Sequence, residues 1–305
     1  MSVQDDTRRN HGKGRGDAGL RTLLFVPGDS ERKITKALSS AADLVILDLE
    51  DAVAPTAKDD ARRLCRDVLR AERSTRIAVR VNAADTHWHV PDLVAIGPLG
   101  ADIIMLPKCS GAADVRRLDD QLTVLEPLDD TLEPARILPL VTETAAALGS
   151  LDYRLAGPRL CGLAFAGEDL AADLGVAARD GQDMNPLLAH ARRSVAIAAA
   201  ASAVPAIDTP YPNPSDEIGL IREAEEASRL GYFGKLCIHP GQLDQVQRIF
   251  TPNAATLDWA RAVVAAFAAM PNGGVALLDG KMIDRAHLRL AHRHLGVAMK
   301  QGVAA

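Results

Sequence analysis

The sequence lacks the features of membrane, secreted and zinc-binding proteins. No apolar run approaches the roughly 18 residues that a membrane-spanning helix needs. The first 20 residues lack the apolar centre of a secretory signal. The four cysteines are far apart and form no Cys-x-x-Cys pair: Cys65, Cys109, Cys161 and Cys237. We therefore expect a cytoplasmic protein without membrane contact, with buried free thiols and neither disulfides nor a zinc site.

The sequence also lacks an excess of basic residues. Its 35 Lys and Arg residues face 40 Asp and Glu residues, which gives a formal net charge of -5. Because general nucleic-acid binding depends on neutralising phosphates with cations, we expect no nucleic-acid partner. The apolar fraction of 48% and the charged fraction of 25% are typical of a globular protein with a sizeable core.

Short apolar runs alternate with longer amphipathic segments along most of the chain. Eight runs have the composition of strands: 22–28, 44–51, 76–82, 102–108, 136–144, 160–169, 204–210 and 234–240. Helices are predicted over 30–39, 57–69, 112–122, 185–201, 216–230 and 253–270, which are rich in helix-forming residues. The strands are apolar nearly throughout, as is typical of parallel strands covered on both faces.

Eight βα units close naturally into a barrel. The competing fold, an open doubly wound sheet, usually brings a Gly-x-Gly-x-x-Gly turn after a strand, and none of the predicted strands is followed by one. We therefore predict an α/β protein, a (β/α)8 TIM barrel with a C-terminal helical lid segment. The predicted domains are a disordered tail over 1–18, the catalytic barrel over 19–270 and the lid segment over 271–305, which reaches a neighbouring subunit.

Charged and polar residues follow the predicted strands at their carboxyl ends. They are Asp48, Glu50, Asp51, Arg80, Asn82, Lys108, Glu143, Glu168, Asp169, Asp208 and His239. Because barrel active sites are built at that end, we expect these side chains to converge on one mouth. His239 is the exception that we expect to hydrogen-bond its own loop.

So many carboxylates in one place indicate a cation site. Packed together, they raise one another's pKa unless a cation lies among them. Oxygen ligands suit Mg²⁺, and we predict Glu143 and Asp169 as its ligands. The alternative for any single acid is that it caps the helix that follows.

Eight ordered stretches carry a resemblance to a known family. They are "RTLLFVPGDSERKITKAL", "ADLVILDLEDAVAPTAKDDAR", "VRVNAADT", "IMLPKC", "LPLVTETAAAL", "AFAGEDLAADLG", "GKLCIHPGQLDQVQRIFTP" and "LLDGKMIDRAHL", and the resemblance extends roughly over residues 21–292. In them the chain resembles the citrate lyase β-subunit-like branch of the HpcH/HpaI aldolase family, which includes malyl-CoA and citramalyl-CoA lyases. The resemblance implies a TIM barrel, a homotrimer or hexamer, Mg²⁺ with Mn²⁺ as an alternative ion, and a CoA thioester with a small keto acid.

The resemblance also implies roles for individual residues. It places the metal on Glu143 and Asp169, in agreement with the charge pattern. It implies that Arg80 holds the thioester oxygen or a substrate carboxylate, and that Arg21 lies near the CoA phosphates or the acyl end.

Three further acids have implied roles. Asp48 and Glu50 would position the metal's waters and Arg80. Asp284 would be the acid/base residue, supplied by the C-terminal segment of an adjacent subunit. Thr142 stands where many relatives carry an apolar residue, so we expect it to alter the acyl pocket.

Four functions stay open at this point. The first is a lyase that cleaves a short β-hydroxyacyl-CoA. The second is a thioesterase that uses the same site, and the third is a citrate lyase β subunit whose substrate is carried by an acyl carrier protein. The fourth is a barrel kept only for binding. Lys108 would also allow a Schiff-base aldolase, and the "HWH" motif at 87–89 is predicted to lie at the surface or the pocket rim.

Overall fold

The computed structural model describes residues 19–127, 132–181, 183–270 and 274–300, with side chains as far as 296. The predicted tail over 1–18 lies outside the described residues, as do both ends of the predicted lid segment. Residues 20–247 form one compact unit, and residues from 248 onward belong to a second. The predicted domain boundary at residue 270 stays a prediction.

The first unit is built around a parallel sheet. Its strands are β1 (Thr22–Pro27), β2 (Leu44–Asp48), β3 (Ile77–Arg80), β4 (Ile103–Leu106), β5 (Arg136–Pro139), β6 (Leu163–Ala164), β7 (Arg179–Asp180), β8 (Asp183–Met184), β9 (Ala206–Asp208) and β10 (Gly234–Cys237). The strands β7 and β8 form a separate antiparallel hairpin, and the other eight follow the order β5-β4-β3-β2-β1-β10-β9-β6. Parallel bridges from Ile137 to Leu160 and from Leu140 to Ala164 join the two edges, so the barrel is nearly closed.

Helices follow the strands on the outside of the sheet. They are α1 (Glu31–Leu38), α2 (Lys58–Arg70), α3 (His89–Ile96), α4 (Ala112–Leu125), α5 (Ala145–Leu148), α6 (Gly167–Leu174), α7 (Pro186–Ala201), α8 (Glu217–Arg229) and α9 (Leu243–Phe250). The predicted TIM-barrel fold and its eight strands are confirmed, and each strand of the barrel lies within its predicted run, whereas the hairpin β7–β8 was not predicted. In the described ranges, no helix combines the length and apolarity needed to cross a membrane.

Helix α3 begins inside the "HWH" motif, in a segment that the sequence predicts as a loop. His89, Asp92, Leu93 and Ile96 are its buried residues, and their spacing of three and four is the pattern of a helix face. Nδ1 of the His89 ring lies 2.8 Å from the carbonyl oxygen of Asn82. His89 is therefore a buried structural residue, and its predicted place at the surface or rim is wrong.

The second unit contains two helices and a hairpin. They are α10 (Ala254–Ala268), β11 (Val275–Leu278), β12 (Lys281–Asp284) and α11 (Arg285–Lys300). A small core of Ala260, Val263, Ala276, Ile283 and Ala291 holds the unit together. The sequence predicts the helices but misses the hairpin, because its two strands of four residues are only half buried.

The apolar character of the strands follows from burial on both faces. In β2, the residues Leu44, Val45, Ile46 and Leu47 are all fully buried. Alternate residues fill the barrel interior, and the rest pack under the helices, as expected for a covered parallel sheet. All four cysteines are buried and free, as predicted. Burial raises the pKa of Cys65 and Cys237 to about 12, so these thiols are protonated at neutral pH.

Asp208 belongs to a buried ion network, so its predicted place at the mouth is wrong. Its carboxylate accepts two bonds of 2.8 Å from Arg192 of α7. Lys235 of β10 donates to Asp208 at 2.6 Å and to Glu223 of α8 at 2.8 Å. Burial alone would raise the pKa of Asp208, but Arg192 and Lys235 hold it below its ordinary value. The network fastens β9 and β10 to the helices that cover them.

We predict that Lys235→Met destabilises the protein by about 3–5 kcal/mol, because it leaves buried carboxylates without their shared cation. Urea unfolding of the full chain measures this change. Arg63→Met is the control: Arg63 pairs with Asp60 where both side chains are 68% exposed, so its loss costs at most about 1 kcal/mol. A cost for Lys235→Met as small as that of the control would contradict the role given to the network.

Candidate active site

Arg80 is held rigidly at the carboxyl end of the barrel. Asp48 ends β2, Arg80 ends β3, and the two residues are partners in the register of these strands. Arg80 donates from Nε and Nη2 to the two oxygens of Asp48 at 2.8 and 2.7 Å. Its guanidinium also lies over the Phe25 ring, 5.0 Å from the centroid. Such a two-point bond fixes the direction of the guanidinium as well as its position.

Glu50 is a buried acid without a complete set of partners. Its Oε2 lies 2.9 Å from Arg80 Nη1, but the contact lacks hydrogen-bond geometry and the buried oxygen has no hydrogen-bond partner. Burial raises the pKa of Glu50 to about 8; Arg80 opposes this rise, and Asp51 and Glu143 add to it. An added cation near Glu50 would favour its ionised form.

Lys58 supports the turn that carries Glu50. Its ammonium donates to the carbonyl oxygens of Leu49 and Glu50 at 2.6 and 2.7 Å, and to Asn82 Oδ1 at 2.7 Å. Asn82 in turn donates to Asp92 at 2.6 Å. The buried Asn82 side chain is therefore bonded to the turn and to Asp92, and among the described residues it hydrogen-bonds to none of the acids that follow the other strands. Lys58 lies on the helix after the acids, and its position in α2 gave no signal of this role.

Lys108 gathers three carboxylates from different strand ends. Its Nζ lies 2.9 Å from Glu143 Oε1, 3.6 Å from Asp169 Oδ1 and 3.8 Å from Glu50 Oε1. Its backbone N–H also donates to Glu143 Oε2. Burial raises the pKa of Glu143, although the bonds from Lys108 oppose this rise. The structure thus brings together the acids that follow β2, β5 and β6.

The turn before α6 gives the adjacent acids Glu168 and Asp169 different positions. Backbone N–H groups of Ala166 and Gly167 donate to the hydroxyls of Thr142 and Thr209 at 3.2 and 3.0 Å. This fixes the first turn of α6, which directs Asp169 to Lys108. Thr142 is fully buried, so it holds this turn and its predicted effect on the acyl pocket is not supported.

Glu168 has a different partner from its neighbour. It accepts a bond from Arg179, which also donates to Glu223 at 2.8 Å. Glu168 therefore ties α6 to the hairpin β7–β8 and to α8. Of the two adjacent acids, Asp169 contacts Lys108 at the mouth of the barrel, and Glu168 holds α6 in place through Arg179.

We call Asp48, Glu50, Arg80, Lys108, Glu143 and Asp169 the mouth cluster. With every acid ionised, its four carboxylates and two cations carry a formal charge of -2. Among the described residues, no three His, Cys, Asp or Glu side chains form a ready cage for a metal. Mg²⁺ does not need one, since it usually takes one or two carboxylates and completes its shell with water and substrate. The oxygen donors, the Glu50 oxygen without a hydrogen-bond partner and the negative excess of the ionised acids therefore fit Mg²⁺.

Arg21 is not brought to the mouth cluster. It precedes β1 and so lies at the amino end of the barrel, whereas the mouth cluster lies at the carboxyl ends of the strands. Its guanidinium donates to Asp43 at 2.9 and 2.8 Å, which binds the start of β1 to the start of β2. The structure thus gives Arg21 a structural partner away from the mouth cluster, and its role in substrate binding stays a prediction.

Asp284 and His239 both cap helical turns. Asp284, in the second unit, accepts bonds from the backbone N–H groups of Ala286 and His287 at 2.9 and 3.3 Å. The hydrogen bond from the His287 ring lowers the pKa of Asp284. His239 accepts from the N–H of Gly241 at 3.0 Å, which agrees with its predicted role in the loop.

A parallel barrel with a negatively charged cluster at the carboxyl ends of its strands defines the chain as an enzyme of the α/β-barrel class. The sequence model of the HpcH/HpaI aldolase/citrate lyase family matches residues 21–240. The chain belongs to this family of aldolases and oxo-acid lyases.

Relatives show which reactions occur within the family. The (3S)-malyl-CoA thioesterase of Cereibacter sphaeroides is 36% identical over 283 residues, which cover 92% of this chain and 94% of that protein. The mitochondrial citramalyl-CoA lyase of Mus musculus is 33% identical, and the match covers 91% of this chain and 86% of that protein. The chain also resembles the crystal structure of protein CitE from Mycobacterium tuberculosis in complex with magnesium, acetoacetate and coenzyme A. The TM-score is 0.75 at 32% identity, and the match covers 94% of this chain and 99% of that one.

We predict that Lys108 forms no Schiff base. Burial would lower its pKa, but the bond to Glu143 and the nearby acids raise the pKa above its ordinary value, so the amine stays protonated and is not nucleophilic. Treatment with pyruvate and borohydride should leave the peptide that contains Lys108 unchanged in mass spectrometry. A reduced pyruvate adduct on Lys108 would contradict this prediction.

Proposed function

We propose that the protein is a Mg²⁺-dependent carbon-carbon lyase. It would cleave a short β-hydroxyacyl-CoA of the malyl-CoA or citramalyl-CoA type into a keto acid and an acyl-CoA by a retro-Claisen step. The observation that carries this proposal is the mouth cluster, in which four carboxylates contact the ammonium of Lys108 and the fixed guanidinium of Arg80, two cations that balance only part of the charge of the fully ionised acids. The named activities of the relatives support the substrate class.

Glu143 and Asp169 would hold the metal. The three elements that carry the acids, the turn after β2, the end of β5 and the first turn of α6, are each fixed by their own hydrogen bonds. When bound there, Mg²⁺ would act as a Lewis acid and as a template for the oxygens of the hydroxy acid. The magnesium in the crystal structure of the CitE relative supports a metal in this family, and the choice of Glu143 and Asp169 rests on the mouth cluster.

Arg80 would stabilise the charge that develops in the reaction. Breaking the carbon-carbon bond leaves its electron pair on the thioester side as an enolate. The hydroxyl proton would pass to a carboxylate of the mouth cluster, and the hydroxyl oxygen becomes the carbonyl of the keto acid. A cation that is already aligned lowers the barrier most where the charge appears. The bond to Asp48 outweighs burial and raises the pKa of Arg80, so its positive charge is permanent.

Asp284 would move the proton at the enolate carbon. In cleavage it would donate a proton to this carbon, and in the reverse condensation it would remove one. Its lowered pKa favours the ionised form and thus suits the reverse role at neutral pH. We assign Asp284 to the active site of an adjacent subunit, as the family resemblance implies.

The surface around Asp284 supports an adjacent subunit. In the hairpin, Val275 pairs with Asp284 and Leu277 pairs with Met282, which places all four on one face. Val275, Leu277 and Met282 are 50%, 71% and 62% exposed. An apolar face of this kind marks an interaction surface. We propose a homotrimer or hexamer that covers it.

The other partners follow from the chemistry. They are the CoA thioester and the small keto acid, with no role for nucleic acid or a membrane surface, and the cytoplasm is the proposed location. Mn²⁺ is an alternative ion at the same oxygen ligands.

A thioesterase is the second candidate, because the Cereibacter relative carries that activity. Incubation with Mg²⁺ and a panel of hydroxyacyl-CoA esters, with products identified by mass, separates the candidates. The lyase releases glyoxylate or pyruvate with an acyl-CoA, whereas the thioesterase releases the hydroxy acid and free CoA. A citrate lyase β subunit would require an acyl carrier protein, so turnover of a CoA ester by the isolated chain would count against it.

Two adjacent acids give a matched test of metal binding. Asp169→Asn should weaken Mg²⁺ binding by at least about 100-fold, because it removes a charged ligand, and Glu168→Gln should change it by less than about threefold. Titration calorimetry on the full chain measures both. Equal effects of the two substitutions would show that Asp169 is not a ligand.

Asp284→Asn should lower kcat of the lyase reaction by about 100-fold to 10,000-fold, because the amide cannot exchange the proton. Mg²⁺ affinity should stay at the wild-type level. Asp258→Asn, in the same unit with a side chain 73% exposed, is the control and should keep full turnover. Turnover by Asp284→Asn near that of Asp258→Asn would exclude the assigned role.

A further inference from the structure

Lys108 is the residue of the mouth cluster whose ammonium contacts three carboxylates. We propose that its ammonium is a built-in counter-ion which competes with Mg²⁺ for Glu50, Glu143 and Asp169 and so sets how tightly the enzyme holds its metal. This inference rests on the proposed function, because it concerns the same metal. It adds a residue that controls metal affinity without being a ligand.

The distances show that the ammonium lies where its charge interacts with all three acids at once. Its Nζ is 2.9 Å from Glu143, 3.6 Å from Asp169 and 3.8 Å from Glu50. The other cation of the cluster, Arg80, is bonded twice to Asp48 and lies 2.9 Å from Glu50, and no contact joins it to Glu143 or Asp169 among the described ion pairs. Lys108 thus neutralises the acids that include both predicted ligands. A divalent cation entering among these acids would meet the repulsion of a like charge only a few ångströms away.

Lys108 contacts Glu143 in two independent ways, through its backbone N–H and through its ammonium. Its φ of 52° lies in the left-handed region, which residues with side chains rarely adopt and which recurs at functional sites. In this conformation both the N–H and the ammonium are directed at Glu143. The N–H bond holds Glu143 in place by itself. The ammonium can therefore leave without releasing that carboxylate.

The side chain also has a route out of the cluster. It is 39% exposed, whereas the Glu143 side chain that it contacts is 1% exposed. Lysine is flexible and its ammonium is well hydrated, so rotation towards solvent costs little. An arginine at this place would bind the carboxylates in a fixed fork and give way less easily. Competition between a mobile ammonium and the metal follows from this combination of charge, contact and exposure.

The test is calorimetric titration of the purified full chain with MgCl₂. Lys108→Met keeps the backbone N–H and most of the side-chain volume but removes the charge. We expect it to bind Mg²⁺ at least about 10-fold more tightly than wild type, because a nearby like charge is gone. Lys36→Met, on the exposed side of α1, is the matched control and should leave the affinity unchanged.

Two more variants keep the test decisive if Lys108→Met folds poorly. Lys108→Gly retains the N–H bond and adopts the left-handed backbone without strain, so it should also bind Mg²⁺ more tightly. Lys108→Arg retains the charge and should bind no more tightly than wild type. Unchanged or weaker binding by both uncharged variants would overturn the proposal and make Lys108 a structural residue.

The outcomes also distinguish this inference from the function on which it rests. Wild-type protein that binds Mg²⁺, together with uncharged variants of unchanged affinity, would contradict only the role of Lys108. Wild-type protein that binds no Mg²⁺, even with a CoA ester present, would overturn both. Melting temperatures with and without MgCl₂ give a second readout, and the uncharged variants should gain more from the metal than wild type does.

Discussion

The acids at the mouth of the barrel repel one another, and the rest of the site is arranged around that repulsion. Glu50 and Glu143 are buried, so water screens them poorly, and burial is the main cause that raises the pKa of Glu50 to about 8. Arg80 and Lys108 neutralise only part of the charge. The arrangement is stable because hydrogen bonds hold the three elements that carry the acids, so the acids cannot move apart. A site of this kind is organised to receive a cation.

A second charge network in the same unit shows the contrast. Asp208 and Glu223 are matched by Arg192 and Lys235, and Asp208 and Lys235 are fully buried. Each of these four charges has a hydrogen-bonded partner of opposite sign, and they link strands to helices. The mouth cluster does not balance, and one buried oxygen of Glu50 has no hydrogen-bond partner. Balanced burial is typical of a structural network, whereas unbalanced charge in a cleft is typical of a functional site.

The sequence predicted the barrel well because its signals are local. Apolar runs of strand length and the polar residues that end them can be read one segment at a time, and they gave all eight strands and the acids near Lys108. Asp208 and Arg21 could not be placed in this way. Whether a side chain at a strand end turns into the mouth or under a helix depends on partners such as Arg192 and Asp43, which are distant in the chain.

Supporting residues were also beyond the reach of sequence patterns. Lys58 resembles any lysine of an amphipathic helix, and Thr142 resembles a substitution in a pocket, but both fix turns that carry acids of the mouth cluster. Their roles depend on single hydrogen bonds to backbone groups, which composition and periodicity do not encode.

The central claim is that Glu143 and Asp169 hold a divalent cation. Anomalous scattering from crystals grown with Mn²⁺ in place of Mg²⁺ tests it most directly. The account predicts one strong peak within bonding distance of carboxylate oxygens of both residues. A peak bound elsewhere, or no peak at these carboxylates at saturating Mn²⁺, would contradict it.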